Sequence, residues 1–189
     1  MPATTSRDRD LRAALVSQIR ASARPGRILH EVWIPRTHER IDVAEVNGHL
    51  TGYELKSARD TLARLPRQIS AFSRVFEELS VVCDRRHTEA VSELTPAWCG
   101  ILESRTEAGA NALAWVRASR PNPAIDQELQ IRLLWRDEMS PAVERLGIDP
   151  RSLTCGEMRQ LLVRELNANA FSNLIRQQLR RRDLSRRRF

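Results

Sequence analysis

The sequence predicts an α/β fold: a mixed β-sheet with helices packed on it, followed by an α-helical extension. Three observations predict it. Strand-like runs between residues 28 and 56 contain Asn47-Gly48, the strongest short hairpin signal. A strand–helix–strand unit comes after that hairpin and brings parallel neighbours into the same sheet. From residue 125 onward the apolar spacing is helical.

Taken in order, Leu11, Leu15 and Ile19 recur at helical spacing, so residues 8–22 read as an amphipathic helix. Pro25-Gly26 is a turn. Strands are expected over 28–34, 40–46 and 50–56. The stripe Leu62, Leu65, Ile69, Phe72 and Phe76 predicts a helix, with Pro66 near its start. A strand over 79–83, a short helix over 87–94 and a last strand over 98–102 complete the order. The pattern weakens after Thr106, and Pro121 and Pro123 mark a linker. Residues 1–106 are therefore expected to form the first domain, with its core over 27–105. Residues 107–124 are expected as linker and 125–189 as a helical extension with an Arg-rich tail. Within that extension Thr154 and Glu157 have the spacing of a capping box.

Composition narrows the function. The 189 residues are 41% hydrophobic, enough for a packed core. No apolar run is long enough to span a membrane, and the N-terminus has no signal-peptide core, so a soluble, cytoplasmic protein is expected. The three cysteines are widely spaced and form no CxxC, and the four histidines have no metal-ligand spacing. No glycine-rich loop could cradle a phosphate, which disfavours nucleotide hydrolysis. The net charge of +7 favours a polyanionic partner, nucleic acid before acidic membrane. Of 31 basic residues only one, Lys56, is lysine. An ammonium is compact and can shift its pKa, whereas guanidinium is planar and always charged. A lone lysine in an Arg-only background marks a site where guanidinium does not serve.

Lys56 lies in the strand Tyr53-Glu54-Leu55-Lys56. Alternation turns Tyr53 and Leu55 toward the core and sets Glu54 beside Lys56 on the other, exposed face. The carboxylate can ligate Mg²⁺ through oxygen, and the ammonium can orient water or stabilise a phosphorane-like transition state. In the preceding strand Asp42 is the natural second ligand. A strict two-residue hairpin loop would put Asp42 opposite Tyr53, on the wrong face. A three-residue loop or a bulge puts Asp42 opposite Glu54, pairs Val43 with Tyr53 and Ile41 with Leu55, and sets Gly52 opposite Ala44, where it would keep the site open. The apolar pattern favours the second register.

An Asp in one strand, Glu-x-Lys in the next and then a helix resembles the PD-(D/E)XK nuclease superfamily. The stretch RIDVAEVNGHLTGYELKSARDTLARLPRQISAFSRVF is similar to a group of small bacterial members. Gln68, with Phe72 four residues on, resembles the Gln-xxx-Tyr element of some branches. The resemblance covers roughly residues 27–105. It implies a restriction-endonuclease-like mixed sheet and phosphodiester hydrolysis with Mg²⁺ or Mn²⁺, most readily of DNA. By the same resemblance Asp42, Glu54 and the Leu55 carbonyl hold the metal, Lys56 serves water, and Gln68 reaches the site from the helix. Many relatives carry an earlier acidic residue. Glu31 is the candidate here, since the first helix holds only Asp8 and Asp10 near its start. The family's usual Pro before the Asp is replaced by Ile41. Arg36, Arg40, Arg59, Arg64 and Arg67 surround the site in sequence and suit a DNA backbone. Superfamily members often dimerise to cut both strands, so a homodimer is compatible with this reading. The alternative is a non-catalytic nucleic-acid- or protein-binding module on the same fold.

Overall fold

A computed structural model describes residues 8–107 and 110–183, without the side chains of 106, 107, 110 and 111. The last six residues of the Arg-rich tail lie outside the described residues. The chain divides into two compact units, meeting in sequence between Ile125 and Asp126.

The first unit is a six-stranded mixed sheet flanked by helices. Helix α1 (Asp8–Arg20) buries Leu11, Leu15 and Ile19, the stripe read from the sequence. Strands β1 (Arg27–Trp33), β2 (Arg40–Val46) and β3 (Leu50–Lys56) come next, then helix α2 (Leu65–Phe72) with Pro66 in its first turn. Strand β4 (Glu78–Asp84), helix α3 (Thr88–Leu94), β5 (Gly100–Glu107) and β6 (Ala110–Arg117) complete the unit. The strands lie in sequence order across the sheet. β1–β2–β3 is an antiparallel meander, β3–β4–β5 is parallel with α2 and α3 in the crossovers, and β5–β6 is antiparallel. β3 is thus where an antiparallel neighbour on one side gives way to a parallel one on the other.

The hairpin takes the register with three residues in its loop. Val46 pairs with Leu50, Ala44 with Gly52 and Val43 with Tyr53. Gly48 supplies the positive φ of 111° that the turn needs. The ladder ends at Val43–Tyr53, one residue short of Asp42 and Glu54, so the expected Ile41–Leu55 pair does not form. Instead, a Cβ on Gly52 would meet the Ile41 Cδ1 at 2.5 Å and the Phe76 ring at 2.8 Å. Gly52 is therefore a close-packing position rather than one that keeps the site open. Tyr53, Leu55 and Val43 pack with Leu11, Leu15, Ile19, Val82 and Leu102 in one cluster.

Two further expectations are corrected. The stretch 107–124 is not simply linker, because β6 occupies Ala110–Arg117 as the sheet's last strand. Its signal is weak because Ala-rich sequence has low β-propensity and because Trp115 and Val116 are each 48% exposed. Nor is the Glu54/Lys56 face of β3 exposed. Every residue of β3 is buried, since parallel strands are covered on both faces.

The second unit is helical: α4 (Gln127–Gln130), α5 (Arg136–Arg145), α6 (Cys155–Glu165) and α7 (Ala168–Arg181). The expected capping box forms. The Glu157 N–H donates to Thr154 Oγ1 at 3.2 Å, and the Thr154 N–H to Glu157 Oε2 at 2.6 Å. Leu129, Ile131, Met139, Val143, Met158, Leu162, Phe171 and Ile175 are among the residues this unit buries. No described helix is long and apolar enough to cross a membrane.

Candidate functional site

β3 delivers its last residues, Glu54 to Lys56, to the end of the sheet where open α/β folds commonly place ligands. There the Lys56 ammonium donates to Glu54 Oε1 at 2.7 Å and to Gln68 Oε1 at 2.8 Å. Gln68 Nε2 in turn donates to the same Glu54 oxygen at 2.6 Å. These three bonds close a ring of side chains, and the ring fixes which end of the Gln68 amide faces which partner. Glu54, Lys56 and Gln68 are all about 95% or more buried. The other Glu54 oxygen, Oε2, is buried without a hydrogen-bond partner among the described residues. A buried carboxylate oxygen left so is costly and calls for an explanation.

The electrostatics agree with the geometry. Burial pushes the Glu54 carboxyl up to about 7, the Asp42 charge adds to that rise, and Lys56 and Gln68 oppose it. Asp42 is anchored on both sides. Its Oδ2 accepts the Leu55 N–H at 2.9 Å, and its Oδ1 accepts from Arg12 Nη2 at 3.0 Å. Arg12, on α1, also donates to the Asp42 carbonyl and to Glu31. Asp8, one turn before Arg12, has its carboxyl raised by burial, against Arg12 and with help from Asp42 and Asp60.

A cleft of about 320 Å³ gathers Asp42, Glu54, Leu55, Lys56 and Gln68 with Arg40 and Arg64 on its wall. Asp8 and Asp60 also line it. The sequence placed Asp8 at the start of the first helix but did not assign it to the cleft. Arg12 and Asp60 carried no signal, because strand alternation says nothing about what another element brings in. Glu31 is not among the cleft residues. It sits in left-handed backbone at φ 56° and pairs with Arg12 and Arg40 at 2.8 and 2.6 Å. Arg36 and Arg67 line a neighbouring depression with His38 and Glu39, and Arg67 Nε lies 2.5 Å from Glu39 Oε1. Arg59 is exposed and lines neither depression.

Among the described residues no group of three or more His, Cys, Asp or Glu side chains is placed to hold a metal ion. What the cleft offers is hard oxygen donors: Glu54 Oε2, unpartnered among the described residues, and Asp42, whose charge raises the Glu54 carboxyl. That donor set suits Mg²⁺ or Mn²⁺ with water completing the coordination.

Fold and cleft together define an α/β protein with a buried acid–amide–ammonium ring at the end of a central strand. The chain belongs to the family described as Bacteriophage P4 protein cII, which matches residues 1–188. Protein cII of Enterobacteria phage P4 is 22% identical over 171 residues. That match covers 89% of this chain and 65% of the phage protein, so the chain spans about two thirds of the relative's length. No solved structure matches the chain.

Proposed function

We propose that this protein is a metal-dependent nuclease that hydrolyses phosphodiester bonds of DNA, on a restriction-endonuclease-like fold of the PD-(D/E)XK type. The observation that carries the reading is the buried Glu54 oxygen without a partner, beside a buried lysine and in the same cleft as Asp42. Glu54 and Asp42 would hold Mg²⁺ or Mn²⁺, with the Leu55 carbonyl available between them. A bound ion would supply Lewis acidity at the scissile phosphate and a lowered pKa for its water. Lys56 has three protons and commits two, to Glu54 and Gln68. The third is available for an attacking water or a phosphoryl oxygen. Gln68 keeps Lys56 in place and does not titrate. Arg40 and Arg64, on the cleft wall, would bind the flanking phosphates.

A second reading is a non-catalytic nucleic-acid- or protein-binding module. One observation favours it: both Asp42 oxygens are already engaged, one by a guanidinium and one by a backbone N–H. The two readings separate in one experiment. The native chain and Lys56→Ala are assayed on single-stranded, double-stranded and branched DNA with Mg²⁺, Mn²⁺ or EDTA. Metal-dependent cleavage that the variant lacks establishes the nuclease. Binding without cleavage by either protein establishes the module.

A further inference from the structure

Helix α7 is divided sharply. Phe171, Leu174, Ile175 and Leu179 are buried on one side. At 100° per residue, Asn169, Asn173, Arg176, Gln177 and Arg180 fall within about a 100° arc on the opposite side. Asn169, Asn173, Gln177 and Arg180 are exposed and Arg176 is half-buried. The helix contains no acidic residue. A merely solvated face would ordinarily mix both signs. This one holds only the amide and guanidinium side chains that hydrogen-bond base edges in pairs.

The charge distribution points the same way. Residues 166–189 contain seven Arg and one acidic residue, Asp183, a net +6 out of the chain's +7. Residues 1–165 therefore carry only +1 between them. Nearly all the net positive charge of the chain sits on its last helix and the tail beyond it. Arg182, at the end of α7, is held by Glu138 and by the face of Trp135, and this pins the helix to its own unit.

We propose that the Asn/Gln/Arg face of α7 is a docking surface for double-stranded DNA and lies in the major groove. A B-form major groove admits one α-helix and presents donor–acceptor patterns that Asn, Gln and Arg match. The deep, narrow major groove of an RNA duplex does not admit it. Arg176 and Arg180 lie one turn apart toward the C-terminal end of this face, where they would reach phosphates, and Arg176 Nη2 donates to Asn173 Oδ1 at 3.0 Å. Asn169 and Asn173 occupy the N-terminal turns, the part that recognition helices direct to bases. The surface is a separate site from the cleft of the first unit. It shares a DNA partner with the proposed function but not its chemistry, and it stands if cleavage fails.

The test measures binding of the full chain to a labelled 30-base-pair DNA duplex in EDTA, so that no metal chemistry contributes. Arg176→Glu/Arg180→Glu is expected to weaken binding by about tenfold or more and to lower the log-affinity-versus-log-salt slope by about 2, near 0.9 per lost phosphate contact. Asn169→Ala/Asn173→Ala/Gln177→Ala is expected to weaken it with the salt slope unchanged. Arg145→Glu, an exposed change on α5, is expected to bind as the native chain does. Methyl green, which occupies the major groove, should displace the protein, and the minor-groove ligand netropsin should not. Equal affinity of the α7 variants and the native chain would overturn the proposal, as would displacement by netropsin alone or tighter binding to duplex RNA. Circular dichroism of each variant establishes that α7 is still folded. Loss of Mg²⁺-dependent cleavage in Lys56→Ala with duplex binding intact leaves this surface standing, so the two proposals fail separately.

Discussion

Among the described residues, Glu138–Arg182 in the helical unit and Glu54–Lys56 in the sheet unit are buried ion pairs, and the two are satisfied differently. In the helical unit Arg182 donates to both oxygens of Glu138, at 2.7 and 2.6 Å, and the Trp135 backbone N–H adds a third bond at 2.8 Å. The Arg182 guanidinium also stacks 4.3 Å over the Trp135 ring. Every charge there has a partner within its own unit. In the sheet unit Lys56 and Gln68 converge on one oxygen of Glu54 and leave the other with no partner among the described residues. A buried pair that is fully bonded behaves as a brace between elements. A pair that keeps a desolvated oxygen is less stable than it could be, and under the proposed function a bound ion would complete it.

The widest separation expected between the two pairs is chemical. Under the nuclease reading Lys56→Ala lowers single-turnover cleavage by about 10²–10³-fold, the usual cost of removing one preorganised donor. Arg182→Ala leaves the cleavage step at saturating DNA unchanged. Equal losses from the two variants would erase the distinction between brace and site.

Stability should divide them next, in the opposite direction. Glu138→Ala strands the Arg182 guanidinium in a nearly dry setting and should cost the helical unit about 3–5 kcal/mol in denaturant titration. The double change Glu54→Leu/Lys56→Met fills similar volume without charge. It should leave the sheet unit as stable as before, or more stable by about 1–4 kcal/mol, while eliminating cleavage. A destabilised double variant would mean that the Glu54–Lys56 pair is itself a brace.

Much of this was legible in the sequence, for reasons that particular residues supply. Leu11, Leu15 and Ile19 announce α1 because a helix repeats its core face every three to four residues. The hairpin register came from requiring Val43 and Tyr53 to share the core, and Val43–Tyr53 is where the ladder ends. The solitary lysine marked Lys56, and alternation along β3 set it beside Glu54. What could not be read were contacts arriving from elsewhere in the chain: Arg12 on Asp42, Asp8 in the cleft, and Ile41 and Phe76 filling the space over Gly52. Burial of both faces of β3 was missed because Glu and Lys read as solvent-facing unless the covering element is known. β6 was missed because alanines and half-exposed aromatics at a sheet edge leave little pattern.

The pH response gives a smaller effect that needs no substrate. Glu54's carboxyl is raised from 4.5 to about 7, chiefly by burial, in the metal-free chain. The folded chain thus holds this proton more tightly than the unfolded chain does. Between about pH 4.5 and 7 the folded state binds more protons, so stability falls as pH rises through that window. Glu54→Gln removes the dependence and should flatten the stability-versus-pH curve there by about 2–3 kcal/mol. Urea titrations at pH 5 and pH 8 check it, and an unchanged curve would mean that water reaches Glu54.

The mildest perturbation tests how the sheet unit keeps water away from that oxygen. Gly52 lies two residues before Glu54, and the space a Cβ would take belongs to Ile41 and Phe76. Phe76 lies just past α2, the helix that carries Gln68, and packs edge-on against Phe72 with ring centroids 6.4 Å apart. Gly52→Ala should push this aromatic pair outward at a cost of about 1–3 kcal/mol. Displacing α2 loosens Gln68 and admits water, so the Glu54 titration should move down toward its ordinary range. Gly147→Ala in the helical unit is the matched control. Its φ of 79° makes alanine unfavourable by about 1 kcal/mol, but nothing lies within 4 Å of the new Cβ. That change should alter local stability alone, because no neighbouring side chain has to move to admit the new Cβ. If Gly52→Ala also leaves the Glu54 titration where it was, the oxygen is kept dry by β3 and its sheet neighbours rather than by the seating of α2.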